Sequence, residues 1–238
     1  MSGIQVDSNG YYYNETNQYG CWGNRNYIQG RYEPDEPHML NNAWKIYNQL
    51  RNARWDIRPI CAVIGNMCAE SYLNAGQTQN GYAIGAVHGG FGLVMWTPQT
   101  VYRNWAQANN HNVNLAYWQV DVVDTLDNGY VWIDTTEYPL TYTEFKGIDS
   151  LSVEYLTKNF YASYERGPST DESMWYRVYC ANYYATQFFG YDPEDPSIVD
   201  PPQPDPEPPE SGDDSPYKRY SKKGMPIWEY PVIKNRRG

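Results

Sequence analysis

The sequence predicts a mainly helical protein of the α+β class, with a small β-hairpin or a glycine-rich loop beside its candidate site. Apolar residues recur at intervals of three and four positions in several segments, which is the spacing of amphipathic helices. Residues 74–92, the glycine-rich interval, break this pattern with six glycines among nineteen residues. The chain of 238 residues is long enough for one main domain with a sizeable core.

Two predicted helices precede the glycine-rich interval. The inward face of the first is formed by Leu40, Ala43, Trp44, Tyr47 and Leu50. The inward face of the second is formed by Ile60, Val63, Ile64, Met67 and Cys68. Asp56 stands at the N-cap position of the second helix, and Pro59 is tolerated in its first turn. This second helix is expected to end near Glu70, where turn residues follow.

Four predicted helices follow the interval. The third begins at Thr97-Pro98 and runs toward Asn110, with Val101 and Trp105 inward. The fourth stops at Asn128-Gly129, and its inward positions are Leu115, Trp118, Gln119, Val122 and Leu126. Two more are predicted around 151–164 and from a capping box at Ser169 and Glu172 to Gly190. Within the interval itself, the Asn80-Gly81 step suggests a hairpin turn.

Charge and composition divide the chain into four parts. Residues 192–216 contain nine prolines, nine acidic residues and no Lys or Arg, which predicts an extended linker. Residues 217–238 carry seven Lys or Arg against one Glu and several apolar residues, which predicts a basic tail that is either a solvated terminus or a peptide that docks on a partner. The remaining parts are an N-terminal extension, 1–38, packed on a catalytic domain, 39–191.

Charge, cysteine spacing and hydropathy argue against several classes of protein. The net charge of −10, without a basic groove in the body, argues against nucleic-acid binding. The four cysteines include no CxxC pair, so we expect no zinc, no other metal and no cofactor. Neither a signal peptide nor an apolar run of about 18 residues occurs, so we expect no membrane insertion and synthesis in a cytoplasm without export.

Four ordered motifs carry a resemblance to a known family. They read IGNMCAESYLNAG, GFGLVMWTPQTVYRNWA, YPLTYTEFKG and FYASYERGPS. Together they resemble the tail-associated lysozymes of bacteriophages that infect Gram-positive bacteria, over about residues 39–190. The resemblance implies a lysozyme-like fold, in which a helix ending in an acid is followed by a small hairpin and further helices.

Glu70 matches the catalytic acid of that family. Cleavage of a glycosidic bond requires protonation of the departing oxygen, so the acid must hold a proton near neutrality. An apolar helix end and a tryptophan-rich groove are expected to raise the pKa of such a carboxyl. A negative charge near a helix C-terminus is also unfavourable with the helix dipole, so Glu70 has no obvious stabilising purpose there.

The candidate substrate-binding residues come from the same motifs and from the glycine-rich interval. They are Ser71, Tyr82, His88, Gly90, Phe91, Gly92, Leu93, Met95, Trp96 and Thr97. Glycines allow the backbone to approach a sugar closely, and aromatic rings offer flat faces for stacking. Ser71 either supports the acid or is an ordinary helix-terminal hydroxyl, and Tyr82 stacks on a sugar or packs in the core.

Met95 and Ala75 depart from the family pattern. The family usually has Gln where this chain has Met95, and Pro is common where it has Ala75. The change at Met95 replaces a polar side chain that could hold a sugar amide or a water. It therefore favours the alternative that the protein has a lysozyme-like fold but no longer cleaves glycans.

The second catalytic group is less defined by the sequence. No Asp or Glu occurs between Glu70 and Asp121, so the glycine-rich interval cannot supply a second carboxylate. The possible second acids are Asp121, Asp124 and Glu165. Asp121 and Asp124 could instead belong to a solvated helix face. Glu165 could instead form a structural ion pair with Arg166. A single-acid mechanism is favoured, with either a placed water or attack by the substrate itself, as in lytic transglycosylases.

The predicted function is cleavage of the MurNAc-GlcNAc β-1,4 bond of peptidoglycan by an enzyme carried at the tip or knob of a phage tail. The expected partners are bacterial peptidoglycan and, through residues 217–238, phage tail proteins. Two alternatives remain open. One is a non-catalytic tail plug or glycan-binding module, and the other is an endolysin for host lysis.

Overall fold

A computed structural model describes residues 3–18, 21–23, 27–167, 170–188 and 190. The described part contains seven α-helices: α1 Pro37–Asn52, α2 Ile57–Ser71, α3 Thr100–Ala108, α4 Ala116–Thr125, α5 Tyr142–Gly147, α6 Val153–Phe160 and α7 Asp171–Tyr183. Helices α6 and α7 continue into π-helical turns at Tyr161–Glu165 and Tyr184–Phe188. None of the described helices is long and apolar enough to cross a membrane. The predicted linker, 192–216, and tail, 217–238, lie outside the described residues.

Two small antiparallel hairpins precede the helices. Strand β1, Gln5–Val6, pairs with β2, Tyr12–Tyr13. Strand β3, Tyr27–Ile28, pairs with β4, Arg31–Tyr32. The predicted fold class, mainly helical with a small β component, is confirmed. The paired strands lie in the N-terminal extension, whereas the glycine-rich interval is a loop with isolated bridges from Phe91 to Thr78 and Trp96.

Helix α2 is the centre of the core. Its residues from Pro59 to Cys68 are buried, which suits a helix that is apolar on nearly all sides. It packs closely on α7 because Gly65 has no side chain: a Cβ atom there would lie 2.4 Å from the Arg177 carbonyl oxygen and 2.6 Å from the Ala181 Cβ. This close approach brings the C-terminal end of α2 next to the polar side chains of α7.

The predicted faces of α1 and α2 need small corrections. In α1 the buried aliphatic positions are Met39, Ala43, Ile46 and Leu50, and the prediction that Trp44 faces inward was wrong. Trp44 is 46% exposed because the buried stripe is rotated away from it. Asp56 is at the N-cap of α2 as predicted, but its side chain makes no capping hydrogen bond.

The later helices also differ in detail from the predictions. Helix α3 begins at Thr100 rather than at Thr97-Pro98, because the Thr97 hydroxyl donates to the Met95 carbonyl (2.9 Å) instead of capping. Its buried residues are Tyr102 and Ala106, while Val101 and Trp105 are only half-buried.

Helix α5 was not predicted, and a capping box of Thr141 and Glu144 begins it. Helix α7 is capped by Thr170, whose hydroxyl accepts from the Ser173 N–H (3.2 Å). Ser169, the predicted cap, lies outside the described residues.

Side-chain amides attach the N-terminal extension to the helical body. The Asn42 side chain accepts from the Tyr12 N–H (2.8 Å) and donates to the carbonyls of Tyr12 (2.7 Å) and Leu73 (2.8 Å). Asn74 likewise accepts from the N–H of Asn14 (2.9 Å) and donates to its carbonyl (2.8 Å). Each amide therefore bonds the extension as a neighbouring strand would, which satisfies backbone groups that would otherwise be buried without partners.

Candidate active site

A cleft of about 1170 Å³ opens at the C-terminal end of α2. It is lined by the β3–β4 hairpin, the end of α2, the glycine-rich interval, Tyr130, the π-helical turn after α6 and the first turns of α7. Its charged residues are Glu70, Glu165, Glu172, Arg31, Arg166 and Arg177. This Glu70 cleft is therefore polar and carries both signs of charge.

Glu70 is held at the cleft by a buried arginine. One of its carboxylate oxygens, Oε1, accepts a hydrogen bond from Nη2 of Arg177. The Arg177 side chain is only 4% exposed, whereas that of Glu70 is 20% exposed. Nη1 of the same guanidinium donates to the Asn66 side-chain oxygen (3.0 Å), and its carbon lies 4.6 Å from the centre of the Tyr161 ring. The arginine is thus fixed on several sides and orients the carboxylate toward the cleft.

The backbone after Glu70 turns away immediately. Tyr72 and Leu73 adopt left-handed conformations, with φ of 53° and 58°, and end the helix. The Ser71 hydroxyl is buried and hydrogen-bonds the carbonyls of Met67 (3.1 Å) and Leu93 (3.0 Å). Ser71 therefore ties the residue that directly follows the glycine-rich interval to the end of α2, next to Glu70.

Glu165 is the second carboxyl group of the cleft. It closes the π-helical turn after α6, and its Oε1 atom is buried with no hydrogen-bond partner, although the residue as a whole is partly exposed. Burial raises the pKa of Glu165 well above its usual value, the negative charge of Glu70 raises it further, and Arg177 acts in the opposite direction. Of the sequence-predicted second acids, Glu165 shares the cleft with Glu70.

The other two predicted second acids lie in a different cavity. Asp121 and Asp124 line a separate space of about 450 Å³ with Lys45 and Tyr117. Asp124 accepts hydrogen bonds from the Trp55 indole (2.7 Å) and from the Lys146 ammonium group (2.6 Å). Burial and the charge of Asp124 raise the pKa of Asp121. Neither aspartate lines the Glu70 cleft, so both are better assigned to packing and charge balance.

Most of the motif residues proposed as substrate contacts lie beneath the surface. Met95 and Thr97 line the cleft. By contrast, Phe91 and Leu93 are fully buried, and the glycines Gly90 and Gly92 are buried as well. These positions argue for a role in packing the interval against the core rather than in direct stacking on a sugar.

Trp96, Tyr82 and His88 also do not line the cleft. Trp96 is 1% exposed, donates from its indole to the Tyr164 hydroxyl (3.0 Å) and stacks on Tyr102 with ring centres 4.6 Å apart. Tyr82 and His88 are exposed but do not line the cleft. The buried aromatic residues of the motif thus pack in the core beneath the cleft.

Gln119 is a supporting residue whose role the sequence did not reveal. Its side-chain oxygen accepts from the Leu93 N–H (2.7 Å), and its amide donates to the carbonyls of Ala75 (2.8 Å) and Val113 (3.0 Å). Gly92 has a φ of 85°, and a Cβ atom there would lie 2.6 Å from the Gln119 oxygen. Gln119 therefore fixes both ends of the glycine-rich interval, and glycine at position 92 makes room for it.

Sequence reasoning also missed Arg177 and the N-terminal wall of the cleft. Arg177 stands beside Tyr176, Cys180 and Ala181, all buried residues of α7. A lone arginine among the apolar positions of a helix is a signal for a buried ion-pair partner. Nothing comparable marks the β3–β4 hairpin, whose strands are only two residues long.

The fold and the cleft together define a class of protein. A central buried helix that ends in a carboxylate at a polar cleft, with small β elements beside a helical body, is the layout of lysozyme-like proteins. The sequence pattern of the phage tail lysozyme family matches residues 41–188. The chain therefore belongs to the phage tail lysozyme family, as the motif resemblance indicated.

One curated relative is a phage protein whose name refers to morphogenesis. Morphogenesis protein 1 of Bacillus phage B103 is 37% identical over 135 residues, which are 54% of this chain and 34% of the relative. The chain thus spans about a third of the length of that relative. Family and relative together support a phage-associated protein with a lysozyme-like domain.

Proposed function

We propose that this protein is a glycosidase of the phage tail that cleaves peptidoglycan, with Glu70 as the acid at the scissile bond. The observation that carries the proposal is the position of Glu70. It ends the buried helix α2 at the floor of the cleft, and Arg177 holds one of its two carboxylate oxygens. None of the described residues hydrogen-bonds the other oxygen, which leaves it available to a glycosidic oxygen.

The size and lining of the cleft suit a glycan strand. A volume of about 1170 Å³ exceeds the ~300–1000 Å³ of typical small-molecule sites, so it has room for several sugar rings. The exposed Gln79 and Asn80 carry amide groups on one side, and the half-buried Tyr130 carries a ring and a hydroxyl on another. Such groups bind sugar hydroxyls and acetamides by hydrogen bonds and stack on the apolar faces of the rings.

Glu165 completes the proposed chemistry. An acid catalyst must carry a proton before it can donate one, so a second carboxyl group beside Glu70 bears on the chemistry. Glu165 lies in the same cleft with a raised pKa, so it is suited to hold a proton beside Glu70. We therefore propose that Glu165 supports Glu70, the acid at the scissile bond, by holding a proton in the same cleft.

The experiment compares wild-type protein with Glu70→Gln in the clearing of purified Gram-positive cell walls. General acid catalysis contributes about 10²–10⁴-fold, so we expect the variant to lose at least about 100-fold in rate. Thermal unfolding is measured alongside to show that the variant, in which the buried Arg177 faces a neutral amide, is folded at the assay temperature. Glu172→Gln is the matched control, since Glu172 lines the same cleft with an exposed side chain and has no assigned role. Its rate should stay within about twofold of wild type.

Clearing by Glu70→Gln at the wild-type rate would refute the catalytic assignment. Mass spectrometry of the products defines the reaction: anhydro-muramic ends mean transglycosylation and reducing ends mean hydrolysis. Detection of the protein in purified virions tests the tail location, and its absence from them favours an endolysin.

A second candidate function is a tail component that binds glycan without cleaving it. Met95 favours it, because an apolar side chain lines the cleft where the family usually has a polar one. The name of the relative, which refers to morphogenesis, is also compatible with an assembly role. This candidate predicts that wild type and Glu70→Gln bind walls equally and that neither clears them.

A further inference from the structure

The β3–β4 hairpin forms a wall of the Glu70 cleft. Residues 27 and 29–32 line the cleft, and all of them precede residues 41–188, which match the family. The two-residue turn at Gln29 and Gly30 has φ of 48° and 78°, the left-handed conformation that tight hairpins need. This wall is therefore an addition to the part of the chain that the family pattern covers.

The hairpin is held rigidly against the helices on both sides of Glu70. Tyr32 is fully buried, its hydroxyl accepts from the Trp22 N–H (3.1 Å) and donates to the Gly23 carbonyl (2.9 Å). From α7, the Tyr176 hydroxyl donates to the Tyr32 carbonyl (2.7 Å). The ring of Tyr72, just after α2, packs edge-on against Tyr32 with centres 4.9 Å apart. A wall fixed in this way can present a side chain without an ordering cost on binding.

Arg31 is the charged side chain of this wall. Its guanidinium carbon lies 5.1 Å from the centre of the Tyr176 ring, and its Nε atom is buried without a hydrogen-bond partner. Among the described residues, no carboxylate forms an ion pair with it. A guanidinium that lines a cleft without a carboxylate partner can bind a carboxylate of a ligand through two parallel hydrogen bonds.

The other two arginines of the cleft already have contacts. Arg177 pairs with Glu70. Arg166 donates from Nε to the Tyr164 carbonyl (3.3 Å) and lies over the Tyr130 ring at 4.9 Å. Arg31 is therefore the arginine of the described cleft best placed to accept an anionic group from a ligand.

We propose that Arg31 and the β3–β4 hairpin form a subsite for a carboxylate carried on the side chain of a muramic acid residue. The inference rests on the proposed function, because it takes a glycan strand as the occupant of the cleft. Peptidoglycan alternates a neutral N-acetylglucosamine with a muramic acid whose lactyl group ends in a carboxylate or continues into a peptide that carries carboxylates. A single cation on one wall distinguishes the two kinds of sugar and sets which of them lies beside the hairpin.

The test measures binding by the full chain. The background protein is the otherwise wild-type full chain, which keeps Arg177 paired with Glu70, and its oligosaccharide ligands carry thio linkages that are not cleaved. Four tetrasaccharides are compared by calorimetry: a neutral N-acetylglucosamine oligomer, the alternating oligomer with free lactyl carboxylates, the same oligomer with stem peptides, and that peptide form with its carboxylates amidated. The second and third ligands distinguish the two sources of the carboxylate. The fourth removes the charge from the peptide form.

We expect the background protein to bind a carboxylate-bearing oligomer roughly tenfold more tightly than the neutral one. Adding Arg31→Gln should reduce this ratio to about one and change affinity for the neutral oligomer by less than about twofold. Arg31→Lys, which keeps the charge and loses the planar fork, should give an intermediate ratio. Arg54→Gln, an exposed arginine outside the cleft, is the matched control and should leave the ratio unchanged.

Equal binding of neutral and charged oligomers by the background protein would overturn the inference. A ratio that survives Arg31→Gln would overturn it as well. The proposed enzymatic function fails separately, through absence of wall clearing by wild type. Clearing with no Arg31-dependent ratio rejects the subsite alone, and an Arg31-dependent ratio without clearing supports the subsite in a binding protein.

Discussion

Replacing Gly65 with alanine tests the packing that brings Glu70 and Arg177 together. Gly65 faces the backbone of α7, where a Cβ atom would lie 2.4 Å from the Arg177 carbonyl oxygen and 2.9 Å from the Ala181 nitrogen. Ordinary contacts of this kind are 3.4–4 Å. Since a helix backbone cannot rotate aside as a flexible side chain can, α7 has to move away from α2 by about 1 Å.

The expected loss of stability follows from two opposing effects. Overpacking of a well-packed core costs about 1–3 kcal/mol, and alanine regains up to ~1 kcal/mol of helix propensity relative to glycine. A Cβ atom 2.4 Å from a backbone oxygen places the cost in the upper part of its range, at about 2–3 kcal/mol, so the net loss should be about 1–2 kcal/mol in the free energy of unfolding. For a domain of this size, that corresponds to a fall in melting temperature of about 2–8 °C. A shift of ~1 Å between Glu70 and Arg177 should also reduce wall clearing by up to about 100-fold.

Thermal unfolding followed by circular dichroism measures the first effect, and turbidity loss of purified walls measures the second. Gly147→Ala is the matched control, because Gly147 is also helical but a Cβ atom added there would meet no other atom within 4 Å. It should melt at the wild-type temperature or slightly above. A Gly65→Ala protein that melts and clears walls like wild type would refute the close-packing argument.

Two further predictions concern residues behind and inside the cleft. Gln119→Leu leaves the Leu93 N–H and two carbonyls without their hydrogen-bond partner. The free energy of unfolding, measured in urea, should therefore fall by about 2–3 kcal/mol. A loss below ~0.5 kcal/mol would contradict the role given to Gln119. Burial and, to a smaller extent, the charge of Glu70 raise the pKa of Glu165, whereas Arg177 lowers it. Because the pKa is raised overall, the native state keeps a proton that the unfolded chain releases. Stability should therefore fall as the pH rises above 4.5 toward the raised pKa, and Glu165→Gln should lack this part of the fall when unfolding is measured at several pH values. Identical pH dependence in both proteins would contradict the raised pKa.

The sequence predicted the position of Glu70 because two local signals agree there. The apolar pattern of α2 is nearly continuous, and turn residues follow it directly, so the helix end is defined without knowledge of tertiary contacts. The partner Arg177 lies 107 positions further along. Only the packing of α7 on α2 brings the two together, and no spacing rule reaches that far.

The aromatic motif shows why site residues are harder to predict than helices. Residue type indicates that Phe91 and Trp96 are apolar and flat, which suits either a sugar or a core. Their mutual backbone pairing and the stacking of Trp96 on Tyr102 turn both rings inward. Trp44 was wrongly predicted to face inward, because helical spacing alone does not define which face of α1 meets the core.

The attachment of the β3–β4 hairpin has a consequence for how this protein can change. Tyrosine hydroxyls of α7 and its π-helical extension bind main-chain carbonyls of the N-terminal segment, those of Tyr32 (2.7 Å) and Pro34 (2.9 Å). Every amino acid carries the same carbonyl, so these bonds do not depend on the side chains at positions 27, 29 and 31. Those three positions line the cleft, and a changed side chain at position 31 leaves both carbonyl bonds in place. Selection for a different cell wall could thus act on the hairpin while the helices that hold the two glutamates stay as they are.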